Sequence, residues 1–414
     1  MPADPESLPS AAPADLRKLL WLIPALGIGQ IISWGTLFYS LAVLAKPIRA
    51  ELGFSDLLTF GAFTLGLLTS GAVAPYAGRW IDRYGGRRVM AGGSLVAAAG
   101  FVVLGLATGP VGYVAGWLLA GCAMAACLYD PAFASLHQIA PHVYRRAVSG
   151  LTLFGGFAST VFWPLANLLA ERWGWREAFF AFAALHLFVC LPIYLALLPS
   201  FAGERAASTA ASNPPAPFVP DRRYYWLAAS FALATFILGA MAAFLITALV
   251  SRGFTQEQAV WIAALVGPMQ VAGRIAELTL ATRVPATRVG VVALSVMALA
   301  LLLLTAMHDA ILLGCLFAAA YGSANGVITI VRGTVPAELF GRDRQGSLLG
   351  GLARPAFFSM AIAPALIAGA LSIGVPMTGA IAALAGIAVA ALACFLVATR
   401  LPAPVKVYRE SRGV

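Results

Sequence analysis

Arg354 stands before Pro355, and Asp130 before Pro131, each inside a long apolar stretch. An ionisable side chain in such surroundings is costly and marks a functional position by default. Arginine offers five donors in a fixed fork that suits a carboxylate or another oxyanion. A proline one residue on removes an amide and can bend the segment. Arg354 is therefore expected to bind or gate an anion, with a structural ion pair as the alternative. Asp130 is the clear carboxylate at similar depth. Arg274 and Arg332 also lie in or at the edges of apolar runs. Glu277 follows Arg274 at the i, i+3 spacing of helical neighbours, so a pair is expected there. Gln30, Trp34, Tyr39, Asn167, Tyr321 and Asn325 could face a small solute. A buried amide or phenol also serves interhelical packing.

Other chemistries fit less well. Cys122 and Cys127 would suit a soft metalloid such as As(III), but cysteine is also a common small buried residue. All five cysteines lie in apolar runs, with no CxxC or zinc spacing. His137, His142, His186 and His308 belong to no HExxH or other catalytic cluster, and there is no Walker A sequence. No metal, cofactor or enzymatic activity is expected.

These residues need apolar elements to hold them. Of 414 residues, 61% are hydrophobic and 11% charged, against about 25% charged in an ordinary soluble domain. Such a chain cannot supply the polar shell of a soluble enzyme or a nucleic-acid-binding protein. Apolar runs over 19–45, 58–77, 89–107, 111–139, 147–170 and 178–198 precede a polar Ala/Ser/Pro stretch. Six more follow, over 224–250, 259–282, 287–307, 311–335, 346–371 and 375–399. Each approaches the roughly 20 residues that cross a bilayer core. Backbone in lipid must be helical or form a closed barrel, and these runs lack the alternation of barrel strands. An all-α membrane protein with twelve transmembrane helices is expected.

The formal net charge is +10, and its placement matters. With both termini inside, most arginines fall in inner segments, among them Arg79, Arg83, Arg87, Arg88, Arg145, Arg146, Arg222, Arg223 and Arg283. The outer loops hold only Lys46, Arg49, Arg172, Arg176 and Arg252. This asymmetry obeys the positive-inside rule and accounts for the basic excess without nucleic acid. Residues 1–15, with Asp4, Glu6, Asp15 and several prolines, read as a solvated tail rather than a signal peptide.

The halves repeat. Gly78-Arg79 and Asp82 recur as Gly273-Arg274 and Glu277, Arg88-Val89 as Arg283-Val284, Pro141 as Pro336, and Gly155-Gly156 as Gly350-Gly351, all at one offset. In that register Arg332 matches His137 and reads as an inner-end charge. The expected organisation is a disordered tail (1–18), a six-helix half (19–199), a linker (200–223), a second pseudo-symmetric half (224–400) and a tail (401–414), both tails and the linker cytoplasmic. Parallel halves of this kind are a transporter design with its site between them.

The stretch Gly78-Arg79-Trp80-Ile81-Asp82-Arg83-Tyr84-Gly85-Gly86-Arg87-Arg88, between helices 2 and 3, resembles the G-x-x-x-D-R-x-G-x-R-R loop signature of the major facilitator superfamily. Gly174-Trp175-Arg176-x-x-Phe179-Phe180, entering helix 6, is common there too. The resemblance covers about residues 16–400. It implies that Gly78, Asp82, Arg83, Gly85, Arg87 and Arg88 latch the two halves in one state. The plainer alternative is a basic turn that only sets topology, with Asp82 pairing to an arginine or capping a helix.

Residues 29–40 resemble helix 1 of bacterial monocarboxylate-porter-like members, and 156–164 resemble helix 5 of arsenite-efflux-like members. Helix 5 lacks the G-x-x-x-G-P-x-x-G-G pattern of many drug exporters. The resemblance bears on single residues as well. Monocarboxylate porters use an arginine in helix 8, where Arg274 lies, although the repeat equates it with Arg79. Helices 4–5 face helices 10–11 at the family's cytoplasmic gate, so Asp130 and Arg354 are expected to pair when it shuts. The implied function is secondary active transport of a small solute, an organic anion by Arg354, coupled to protons. The bacterial inner membrane is the expected location, multi-pass, with both termini cytoplasmic, and the chain a monomer whose partners are substrate, protons and lipid bilayer. Efflux of a metalloid or a hydrophobic drug is the alternative, and a membrane-embedded enzyme the alternative from another class.

Overall fold

The computed structural model describes residues 13–199, 220–280, 283–341 and 344–402. It holds twelve helices long and apolar enough to cross a membrane. We number them α1 (Trp21–Leu52), α2 (Asp56–Tyr84), α3 (Gly86–Gly105), α4 (Pro110–Ile139), α5 (Tyr144–Arg172) and α6 (Trp175–Leu197). The second half comprises α7 (Arg222–Val250), α8 (Gln256–Thr279), α9 (Ala286–Ala306), α10 (Ile311–Phe340), α11 (Gln345–Ser372) and α12 (Met377–Arg400). Helical backbone already begins at Pro13, ahead of α1. The residues expected as linker before 220, and as tails before 13 and after 402, lie outside the described residues.

Each half has its own core. Trp117, Phe101, Phe179 and Tyr194 are fully buried in the first, and Phe231, Phe317 and Phe395 in the second. Phe357, Met360 and Ala361 of α11 belong to the first core, so α11 crosses between the halves. The α2–α3, α4–α5 and α8–α9 connections and the start of α7 share one face. It carries Arg83, Arg87, Arg88, Arg145, Arg146, Arg222, Arg223 and Arg283 and is called the basic face below.

Three local features depart from the sequence reading. The Gly78–Tyr84 stretch is the last part of α2 rather than a loop, and Gly85 alone makes the turn into α3, at φ 81°. A left-handed residue without Cβ reverses the chain in one step, so the charged residues stay on helix ends. Second, α4 breaks at Leu128, between helical segments Pro110–Cys127 and Tyr129–Ile139. Pro131 lacks the amide that would bond the Cys127 carbonyl, and the Gln30 side-chain Nε2 donates to that oxygen instead, at 2.8 Å. Third, α1 and α6 each contain a π-helical turn, Gly35–Tyr39 and His186–Cys190. The two turns meet: Thr36 Oγ1 lies 3.0 Å from His186 Nε2. Thr36 spends its own proton on the Ile32 carbonyl at 2.8 Å, so it accepts from Nε2–H.

The halves meet along two seams, α2 with α11 and α5 with α8. On the first, Gly78 lies so close to the backbone of Gly346 and Gly350 that a Cβ there would run into the Gly346 carbonyl. No strand occurs among the described residues.

Candidate functional site

Arg274 projects from α8 across the second seam and is 4% exposed. Its Nη1 abuts Gly156 of α5, and the Tyr129 hydroxyl of α4 abuts the adjacent Gly155. The π turn of α1 presents Tyr39 to the same place. Trp34 closes the aromatic side, its ring 5.0 Å from Tyr129 and 6.3 Å from Tyr39 between centroids. Tyr39 in turn meets Trp163 of α5 at 6.1 Å. Arg274 Nε and Nη1, and the Trp34 indole nitrogen, have no hydrogen-bond partner among the described residues. A buried guanidinium with two idle donors is strongly destabilising by itself. An anion entering between the tyrosines would occupy those donors, in the fork geometry arginine offers a carboxylate.

Glu277 is not the partner of Arg274. It belongs to a cross-seam group on the basic side, where Arg145 Nε donates to Glu277 Oε1 at 2.7 Å and Ser149 Oγ bonds Oε2. Arg145 also reaches the Val284 carbonyl. On the other seam Asp82 caps α11: its Oδ1 accepts from Gly346 N at 2.9 Å, and its Oδ2 from Ser347 N at 2.7 Å and Ser347 Oγ at 2.5 Å. Asp82 and Glu277, equivalent in the repeat, thus each bond the start of the facing half's fifth helix, Asp82 at its backbone amides and Glu277 at the Arg145 and Ser149 side chains. A carboxylate at a helix N-terminus meets free amides and the positive end of the dipole. Tyr144 OH adds a bond to the Gly333 carbonyl at 2.7 Å. These hydrogen bonds between the halves all lie on the basic side.

Asp130 does not meet Arg354 in this structure. Its Oδ2 lies 3.6 Å from Arg332 Nη2 of α10. The break at Leu128 starts a new helical segment there and turns the carboxylate toward α10. Arg332 is therefore a cross-half partner rather than a free inner-end charge. Arg354 is exposed, with its guanidinium 5.8 Å from the Phe358 ring centroid, away from Arg274.

The remaining candidates scatter. Gln30 is fully buried and bound to Cys127 O within the first half. Asn167 is exposed and donates to Glu171 at 2.8 Å. Tyr321 stacks on Phe317 at 5.7 Å, and Asn325 is buried one turn on. Arg83 lies over Tyr84 at 5.1 Å, Arg88 is exposed and Arg87 half-buried. Cys127 is buried, with Sγ 3.7 Å from the Met90 carbonyl, and Cys122 is half-buried. Tyr129, Trp163, Glu277, Arg145 and Ser149 escaped the sequence reading as site residues. The repeated Gly155-Gly156 pair marked the contact of Tyr129 with Arg274, and the repeat of Asp82 marked Glu277, though with Arg274 as its expected partner.

The family model described as Major Facilitator Superfamily matches residues 26–315. Monocarboxylate transporter 3 of Rattus norvegicus is 30% identical over 158 residues, 36% of this chain and 31% of that protein. Solute carrier family 2, facilitated glucose transporter member 10, of Mus musculus is 33% identical over 183 residues, 42% of this chain and 32% of that protein. The chain thus spans about a third of the length of these relatives. The crystal structure of the human organic anion transporter MFSD10 (TETRAN) superposes with a TM-score of 0.70 at 17% identity, covering 92% of this chain and 100% of that one. That likeness is one of fold.

Proposed function

Because the chain belongs to the major facilitator superfamily, a family of multi-pass membrane transporters, we propose that it moves a small organic anion by alternating access, with Arg274 as the anion's ligand. The observation that carries this reading is the buried Arg274 fork, idle at Nε and Nη1, beside Tyr129 at the Gly155-Gly156 pair and the Trp34–Tyr39 rings that pack on it. The sequence reading placed the anion at Arg354. The exposure of that residue favours moving it to Arg274. Likeness to a monocarboxylate transporter agrees with the class, whereas likeness to a facilitated glucose transporter does not bear on charge.

By the positive-inside rule we take the basic face as cytoplasmic, with both termini on that side in a bacterial inner membrane. Since the halves are joined there, the site is approached from the opposite side. Proton coupling would act through Asp130 and Glu277. Each holds an arginine of the other half, and neutralising either carboxylate releases its partner. The chain would work as a monomer. Metalloid efflux finds less support, because Cys122 and Cys127 occupy different environments.

The test is uptake of a labelled short-chain monocarboxylate into proteoliposomes with and without an inward proton gradient. Arg274→Gln should weaken substrate binding about 10- to 100-fold, the worth of a charged hydrogen bond. It should also remove the substrate-induced rise in melting temperature. Unchanged binding in Arg274→Gln, or transport only of uncharged solutes, defeats the proposal.

A further inference from the structure

Arg354 poses a problem that the transport site does not solve. It lies roughly 13 Å along α11 from Gln345 at 1.5 Å per residue, well inside the span. Yet it is exposed, and no carboxylate meets it among the described residues. Arg79, near the end of α2, is likewise exposed. Its Nε donates to the Pro75 carbonyl at 3.3 Å and its guanidinium lies 4.6 Å from the Tyr76 centroid, so it is turned back toward mid-membrane.

Both arginines flank one seam on one side. On α11, Gly350 abuts α2 and Phe357 enters the first core. Arg354, one i+4 step or about 40° on from Gly350, stands at the edge of that contact, on a ridge that continues through Phe358, whose ring packs against Gly71 of α2, to Ile362 and Leu366, which are 42% and 56% exposed. On α2, Gly78 abuts α11 and Ile81 is buried, whereas Arg79, about 100° on from Gly78, points away from the core. The two helices run antiparallel, so turns in the same sense from the contact carry both side chains to the same outer flank.

An exposed guanidinium at this depth faces hydrocarbon. It needs an anion with more than one acceptor oxygen. The surface beside it, with Tyr76, Phe358, Ile362 and Leu366, needs an apolar companion. One molecule in a bilayer carries both. We propose that the outer flank of the α2–α11 seam binds an anionic phospholipid, its headgroup phosphate held by Arg79 of one half and Arg354 of the other and its acyl chain laid along the Phe358 ridge. The headgroup thus bridges the seam that Asp82 clasps and favours the arrangement closed at the basic face.

Native mass spectrometry of the detergent-purified full chain, titrated with phosphatidylglycerol and phosphatidylcholine of matched chains, tests this. Phosphatidylglycerol should bind more tightly. Arg79→Gln and Arg354→Gln should each weaken it about fivefold, the usual effect of one basic residue near a headgroup. Arg354→Lys should lose less. Arg400→Gln, a basic-face charge on α12 away from the seam, should change nothing. Millimolar inorganic phosphate should not displace the lipid. Equal binding of the two lipids, equal loss in Arg400→Gln, seam variants that bind as before, or displacement by inorganic phosphate each overturn the proposal. If Arg354→Gln does not fold, Arg79→Gln near the membrane surface carries the same test. The outcome is independent of Arg274, whose variant should bind phosphatidylglycerol normally.

Discussion

At the scale of single residues, a side chain inside a membrane protein is explained by the backbone group it serves as often as by a ligand. Gln30 shows this. Its amide replaces the N–H that Pro131 cannot offer to the Cys127 carbonyl. Gln30→Leu should therefore destabilise the protein by about 1–3 kcal/mol, the cost of an orphaned buried acceptor. In a Pro131→Ala background, which restores an amide at that position, the same change should cost less. Thermal unfolding of the four proteins of this double-mutant cycle measures the coupling; strictly additive losses would show that Gln30 does something else. Arg274 and Arg354 make the complementary point. Both are arginines in apolar runs, and the sequence ranked Arg354 first by its depth and Arg274 lower by its repeat match to Arg79. Burial separates them, because one points into the α5–α8 seam and the other away from the α2–α11 seam. Rotation about a helix axis relative to the opposite half decides this, and no local pattern carries that information.

Among the elements, the helices and their number were legible, since bilayer thickness sets the length of each apolar run and the charges mark the ends. The interruptions were less so. The π turns at Gly35–Tyr39 and His186–Cys190 contain no proline and no charge to announce them. They hold together through the long-range Thr36–His186 contact. The helical course of Gly78–Tyr84 was hidden because glycine and charge read as a loop in isolation, whereas backbone contact with α11 makes the small residue necessary. Gly78→Val should wedge α2 from α11 and abolish measurable uptake while the protein still elutes as a folded monomer. Gly92→Val, at a helical glycine with nothing within 4 Å of an added Cβ, should transport normally. Equal transport by both variants would show that the close approach at Gly78 has no part in the cycle.

For the whole molecule, duplication explains why Asp82 and Glu277 do matching work on opposite seams, and the repeat was visible in the sequence before any contact was known. Which partners they take was not visible, because Ser347, Arg145 and Ser149 lie in the other half, far away along the chain. Asp82→Asn and Glu277→Gln should each shift the balance toward an arrangement open at the basic face by about 1.5–3 kcal/mol, the worth of hydrogen bonds to a charged group. The two seams are separate, so the double variant should shift by roughly the sum. Distances between spin labels at positions 88 and 400, on the basic face of each half, would report the populations. No lengthening in either variant would mean that these carboxylates do not govern the balance.

The bare backbone at the α2–α11 seam has a consequence for speed. Where Gly78 lies against Gly346 and Gly350 there are no interlocking side chains to unmesh. At that level of the seam one half can therefore pivot against the other without rotamer jumps, although Phe357 and Phe358 still engage the first half further along α11. Friction along that line is small, and the time spent in each orientation falls to the few ionic clasps at the membrane edge. Exchange of this molecule between its orientations should accordingly respond steeply to whatever weakens those clasps.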